Sequence, residues 1–159
     1  MLHFAYGSNM HRAVMRKYAP AAAPLGVARL ANYRFLITAD GYASVAPARA
    51  LTVYGVLWRL TPRDRVTLDI WENIASGLYR SATLPVQFAG RHRSALVYVA
   101  RQRPLGQPKA GYMEIVVKAA RELALPSDYI AALERWLPAR QGAAGHRKLE
   151  EFGKLEEFG

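Results

Sequence analysis

The opening segment, residues 1–17, restricts this chain more than any later one. Leu2-His3-Phe4-Ala5-Tyr6 has the apolar and aromatic content of a short buried strand. Gly7 breaks it, Ser8 and Asn9 are good helix N-caps, and His11 to Lys17 continues as a helix. A strand that ends in a small-residue turn at a helix N-terminus directs backbone N–H groups outward. Such groups suit a carboxylate or the oxygen of a polarised carbonyl. An ordinary connection, with Gly7 making the bend and Asn9 capping, accounts for the same residues, so this segment alone leaves both readings open.

Further extended segments follow at Tyr33 to Thr38, Ala43 to Ala46, Leu51 to Leu60, Tyr79 to Phe88 and Arg93 to Ala100. The last two are joined through Ala89-Gly90-Arg91 and read as a hairpin, and Pro85 assigns its strand to an edge or a bulge. Thr61-Pro62-Arg63-Asp64 starts a helix predicted to run to about Asn73, with Thr61 as cap and Asp64 in the acid-preferring first turn. A second helix carries Tyr112, Ile115, Val116, Ala119, Ala120 and Leu123 on one face, and a third ends near Trp136 ahead of Pro138. Strands outnumber helices without alternating regularly with them. That predicts an α+β fold with a curved antiparallel or mixed sheet, rather than a doubly wound parallel one. Trp58, Trp71 and Trp136 are read as core.

The chain has 159 residues, enough for one domain with a substantial core, and no cysteine. Disulfides, thiolate metal sites and cysteine nucleophiles are thereby excluded. His3, His11, His92 and His146 show no metal-ligand spacing, no run reaches transmembrane length, and no signal segment opens the chain. A cytoplasmic, soluble, metal-free domain without membrane association is expected. Net charge is +10, from 17 arginines and five lysines scattered in ones and twos. With no basic helix face and no interleaved aromatics, the charge does not specify a nucleic-acid partner; it does suit attraction of a small acidic substrate. Near the end, Lys148 to Gly153 is repeated without change as Lys154 to Gly159. The organisation expected is a domain over residues 1–141 and a flexible tail over 142–159, native or left by cloning. Oligomeric state stays open.

Only eight acidic side chains precede that duplication. Asp64 is accounted for by capping. Asp69 and Glu72, three residues apart, share a helix face. Glu72 stands near the helix C-terminus among apolar neighbours, where dipole and desolvation both disfavour its charge and raise its pKa, the condition of a general base near neutral pH. The alternative is a solvated Glu72 on the outer face, with Asp69 paired to Arg65 one turn back. Ser8 lacks both a Gly-x-Ser-x-Gly context and an evident histidine partner, so it is not read as a nucleophile.

Phe4-Ala5-Tyr6-Gly7-Ser8-Asn9-Met10 resembles the Tyr-Gly-Ser-Asn signature of the γ-glutamylcyclotransferase-like (AIG2-like) family. Leu68-Asp69-x-x-Glu72, then Gly77-Leu78-Tyr79, is similar to its second signature. Ala43 to Pro47, Tyr54 to Leu60 and Gly111-Tyr112 match the pattern between and beyond. The resemblance runs from about residue 3 to residue 136. One departure is Asn73, where many members have glycine; asparagine tolerates the same left-handed conformation. The resemblance implies a small, curved or barrel-like sheet and a cofactor-independent enzyme acting on a small γ-glutamyl substrate. Its α-amine would attack its own γ-carbonyl, giving 5-oxoproline and a free amine or amino acid. It implies Glu72 as catalytic acid/base and Tyr6, Gly7, Ser8 and Asn9 as the substrate-binding loop. Tyr79 and Tyr112 either face the substrate or pack in the core with a hydroxyl partner. Alternatives on the same scaffold are an enzyme that removes a γ-glutamyl protecting group in a biosynthetic pathway, and a non-catalytic small-molecule binder.

Overall fold

The computed structural model describes residues 1–101 and 104–139. The expected boundary at residue 141 and the duplicated hexapeptide lie outside the described residues. The elements are β1 (Leu2–Ala5), α1 (Arg12–Tyr18), β2 (Ala23–Ile37), β3 (Ala43–Arg59), α2 (Pro62–Trp71), β4 (Tyr79–Phe88), β5 (Arg91–Ala100), α3 (Tyr112–Glu122) and α4 (Ser127–Glu134). The five strands form a closed barrel in the order β1-β3-β2-β4-β5, with a single-turn 3-10 helix, Ser8–Met10, ahead of α1. The sheet is mixed: β1 runs parallel to β5, and every other pairing is antiparallel.

Two of the five joints are thin. β1 meets β5 at His3↔Leu96, and β2 meets β4 at Arg29↔Gln87. Pro85 therefore sits in a strand whose β2-facing side has little ladder to lose, which explains how proline fits within a closed barrel. The strand expected from Tyr33 begins ten residues earlier, at Ala23. Pro24, Gly26 and several alanines hide it, and pairing with β3 between Thr52 and Arg59 overrides their weak propensity. The segments expected separately at Ala43 to Ala46 and Leu51 to Leu60 are one strand. Its register with β2 jumps from Ala31↔Thr52 to Tyr33↔Pro47, and Asn32 and Ala50 both adopt positive φ there. Asn32 Oδ1 accepts from Ala50 N at 3.2 Å, a bond that bridges the two strands across this irregularity.

Gly55 marks a close backbone approach in the barrel, because a Cβ there would lie 2.1 Å from the Ala5 carbonyl oxygen. Inside, Phe4, Leu30, Val53, Leu57, Val86 and Val97 are fully buried or nearly so. α2 begins with a reciprocal capping box, Asp64 N to Thr61 Oγ1 at 3.2 Å and Thr61 N to Asp64 Oδ2 at 3.0 Å. Asp64 also accepts from Ala21 N at 3.3 Å, fastening α2 to the segment after α1. On α3 the buried face includes Met113 and Val117 beside the expected positions, and Ile115 is only half-buried. Trp58 is core as expected. Trp71 is not: it is 39% exposed and stacks on Tyr18 with ring centroids 3.9 Å apart.

Candidate active site

β1 carries Tyr6 and Gly7 to the end of the barrel, where Ser8–Met10 makes one tight turn closed by Met10 N to Gly7 O at 3.1 Å. Ser8 and Asn9 do not cap α1, contrary to expectation. His11 does, its Nδ1 accepting from Ala13 N at 3.2 Å. The extra turn sets Asn9 too early for capping, and its amide reaches across the fold instead, Nδ2 donating to Glu72 Oε1 at 3.0 Å. Gly7 has φ −109° and ψ −139°, so no left-handed backbone demands glycine here. Contact does: a Cβ at Gly7 would lie 2.6 Å from Tyr112 Oη and 3.3 Å from Ala43 Cβ.

Glu72 follows the last residue of α2, its N donating to Leu68 O at 2.8 Å. Asn73, at φ +51°, then turns the chain out of the helix in a conformation that asparagine adopts more readily than most residues. The two acids of this segment have separated duties. Asp69 is held by Arg65 Nε at 2.8 Å, an ion pair within α2, and by Tyr98 Oη at 2.7 Å, a hydrogen bond that ties α2 to β5. Glu72 is half-buried, and its carboxylate meets Asn9 at the cavity wall. Burial pushes its pKa up to about 7, the Asn9 hydrogen bond pulls the other way, and the charge of Asp69 adds to the rise.

Tyr6, Gly7, Ser8, Asn9, Glu72, Tyr79 and Tyr112 all line one cavity of about 820 Å³. The tertiary fold thus brings these seven residues to one cavity, while Asp69 is not among its lining residues. Tyr79 and Tyr112 both line the cavity and are buried with hydrogen-bond partners for their hydroxyl groups. Tyr79 Oη donates to Ala43 O at 2.6 Å, while Tyr112 Oη accepts from Ser8 N and Ala43 N, each at 3.4 Å. Tyr6 donates its hydroxyl to the Tyr98 carbonyl. Burial raises the pKa of all three phenols, Tyr112 to about 12, so they remain protonated near neutrality. As protonated phenols at the cavity wall they can donate or accept hydrogen bonds, and none is a base near neutrality.

Other lining residues escaped sequence reasoning. Trp71 and Tyr18 form an aromatic wall, and Tyr42 packs edge-on against Tyr112 at 5.4 Å. Lys109 lines the cavity from the loop before α3. Their sole sequence signal was proximity to the motifs, since aromatic residues in helices and hairpin ends are more often core. His3 also borders the cavity; it is buried, with Nδ1 against Leu96 O at 3.1 Å, and desolvation lowers its pKa to about 4. Among the described residues no three of His, Asp and Glu come together to hold a metal, and no helix is long and apolar enough to cross a membrane. A smaller groove of about 340 Å³, beside Arg29 and Phe88 at the thin β2–β4 joint, contains none of the candidate residues.

Comparison with known proteins bears on the family and the fold. The chain is 27% identical to human (Homo sapiens) gamma-glutamylcyclotransferase over 169 residues, covering 98% of this chain and 89% of that protein. The mouse (Mus musculus) gamma-glutamylcyclotransferase is 26% identical over 167 residues, with the same coverage. Among solved structures, a gamma-glutamyl cyclotransferase superposes with a TM-score of 0.84 at 24% identity, covering 98% of both chains, and so shares the fold. The family model for the AIG2-like family matches residues 52–133, the stretch that carries β3 from Thr52, all of α2 with Asp69 and Glu72, and α3 with Tyr112. The chain belongs to the AIG2-like family.

Proposed function

We propose that this protein is a γ-glutamylcyclotransferase-type enzyme that releases 5-oxoproline from a small γ-glutamyl compound, with Glu72 as its acid/base. The observation that carries the reading is the Glu72 carboxylate, half-buried at the wall of the cavity, bonded by Asn9 and raised to a pKa of about 7. A base poised near the working pH accepts and returns a proton with little free-energy mismatch. The names of the relatives support the same chemistry.

The reaction is intramolecular. The α-nitrogen of the glutamyl group attacks its γ-carbonyl, a five-membered lactam closes, and the bond to the departing amine breaks. The α-ammonium loses two protons in all and the released amine gains two, so one carboxylate serves by taking and returning protons in turn. What the protein must supply is a folded substrate conformation and a place for charge on the carbonyl oxygen. The backbone of Gly7, Ser8 and Asn9 lines the cavity beside Glu72 and suits the second task. Tyr6, Tyr79 and Tyr112, braced through their hydroxyl groups, suit the first.

The test is 5-oxoproline release from γ-glutamyl dipeptides, γ-glutamyl amines and glutathione, with wild type beside Glu72→Gln. Release by wild type and not by the variant supports both the reaction and its base. Silence of the wild type across the panel would sink the reading, and equal release by the two proteins would remove Glu72 from its role.

A further inference from the structure

The cavity wall carries one strong cation. Lys109 is the only lysine or arginine among the described residues that line it, in a chain of otherwise dispersed positive charge. It is exposed, and its backbone is fixed on both sides. Its N donates to Gly41 O at 3.0 Å, and its carbonyl accepts from Tyr112 N at 3.1 Å. A Cβ on Gly41 would lie 2.6 Å from Lys109 Cγ, so the stem passes over a glycine that leaves room for it. The ammonium stands 5.0 Å from the centroid of the Tyr42 ring, and among the described residues no carboxylate pairs with it.

A lysine stationed on an aromatic face at the rim of a cavity, without a protein anion, is disposed to take an anion from a ligand. Lys109 and Glu72 give the cavity a positive and a negative group. The contacts between them run from Glu72 to Asn9, from the neighbouring Ser8 to Tyr112, from Tyr112 to Tyr42 and from Tyr42 to Lys109. A γ-glutamyl substrate always brings an α-carboxylate, but that group shares a carbon with the reacting nitrogen. Its oxygens stay within about 4 Å of that nitrogen by standard bond lengths, and so remain with Glu72.

We propose that Lys109 is a specificity-determining residue on the leaving-group side of the cavity, where its ammonium takes an anionic group carried by the amine that departs. This rests on the γ-glutamyl reading above and deepens it. The enzyme prefers γ-glutamyl conjugates of amino acids to γ-glutamyl conjugates of the matching plain amines, and Lys109 is what distinguishes them.

The test compares γ-glutamyl-alanine with γ-glutamyl-ethylamine, which differ by one carboxylate on the departing amine, in wild type, Lys109→Ala and Lys109→Arg. The readout is the ratio of kcat/KM for the two substrates. Lys109 is exposed, so wild type should favour the acid by about twofold to fivefold, the range that a solvent-exposed ion pair allows. Lys109→Ala should bring the ratio close to one, chiefly through the KM of the acid, and Lys109→Arg should keep most of the preference. An unmoved ratio in Lys109→Ala overturns the proposal. So does a parallel loss on both substrates, which would put Lys109 on the glutamyl half. Wild type that releases 5-oxoproline from neither substrate takes down the γ-glutamyl reading and this proposal with it, a result distinct from turnover with an unchanged ratio.

Discussion

Asn9 Nδ2 donates to Glu72 Oε1 at 3.0 Å, a single bond that joins the opening turn to the end of α2 across 63 residues of sequence. It ties the loop suited to the substrate's oxygens to the carboxylate suited to its protons. It also moderates the proton affinity of that carboxylate, because a donor to the charged form opposes the larger rise that burial causes.

Replacing Asn9 with leucine should therefore raise the pKa of Glu72 above about 7, with burial left unopposed. In wild type, kcat/KM should fall about tenfold per pH unit below that pKa, as the base becomes protonated. In Asn9→Leu the same limb should move to higher pH, by up to about one unit for one charge-assisted hydrogen bond. A pH–rate profile of both proteins checks this, and a limb that stays in place or moves to lower pH would contradict it.

Glu72→Gln should reduce turnover by roughly 10²–10⁴-fold, the usual contribution of a positioned acid/base. It should also change stability in the opposite sense. A carboxyl whose pKa is higher folded than unfolded favours the folded state below the unfolded value of 4.5, and that contribution is lost as pH rises through about 7. At pH 8 the buried charge therefore costs wild type stability that glutamine does not. Glu72→Gln should be the more stable protein there, by about 1–3 kcal/mol, and the gain should shrink towards pH 5. Thermal melts of both proteins at the two pH values measure the difference.

Gly7→Ala should disturb the site through a single atom, the Tyr112 hydroxyl 2.6 Å from the new Cβ. Overpacking of this kind costs about 1–3 kcal/mol. Adding Tyr112→Phe removes that oxygen and leaves the ring carbon at 3.8 Å and Ala43 Cβ at 3.3 Å as the nearest neighbours. The double variant should then be more stable than the sum of the single effects predicts, a coupling measured by a double-mutant cycle in urea. Additive effects would mean that Gly7 is needed for another reason. Larger substitutions such as Gly7→Val should in addition weaken substrate binding, read as an increase in KM.

Gly55→Ala tests the barrel rather than the site. Its Cβ would meet the Ala5 carbonyl oxygen at 2.1 Å, a backbone atom that cannot swing aside like a side-chain tip. The substitution should destabilise the protein by at least about 3 kcal/mol, with β1 and the turn after it displaced. A variant melting within a few degrees of wild type would show that β1 and β3 are less closely apposed.

Local chemistry determined the elements whose boundaries depend on near neighbours. Thr61, Pro62 and Asp64 specify the start of α2 because a capping box involves residues three apart. Asn73 suits the turn after Glu72 because its φ of +51° is a property of one residue. The hairpin from Tyr79 to Ala100 likewise follows from two runs of strand-forming residues around Ala89 and Gly90. Tertiary structure alone decided what depends on partners distant in the chain. The first ten residues of β2 are extended because β3 lies alongside them, against the preferences of Pro24 and Gly26. Gly7 is glycine because Tyr112 occupies the space of its Cβ, and Asn9 serves Glu72 rather than the helix it precedes. Sequence pattern marked Asp69 and Glu72 as two acids on one helix face. The pairing of Asp69 with Arg65 one turn back was legible in the same way, as a local i,i+4 contact. Only the fold set Tyr98 on Asp69 and burial beside Asn9 on Glu72, because desolvation and long-range hydrogen bonds exist only once the chain has closed around them.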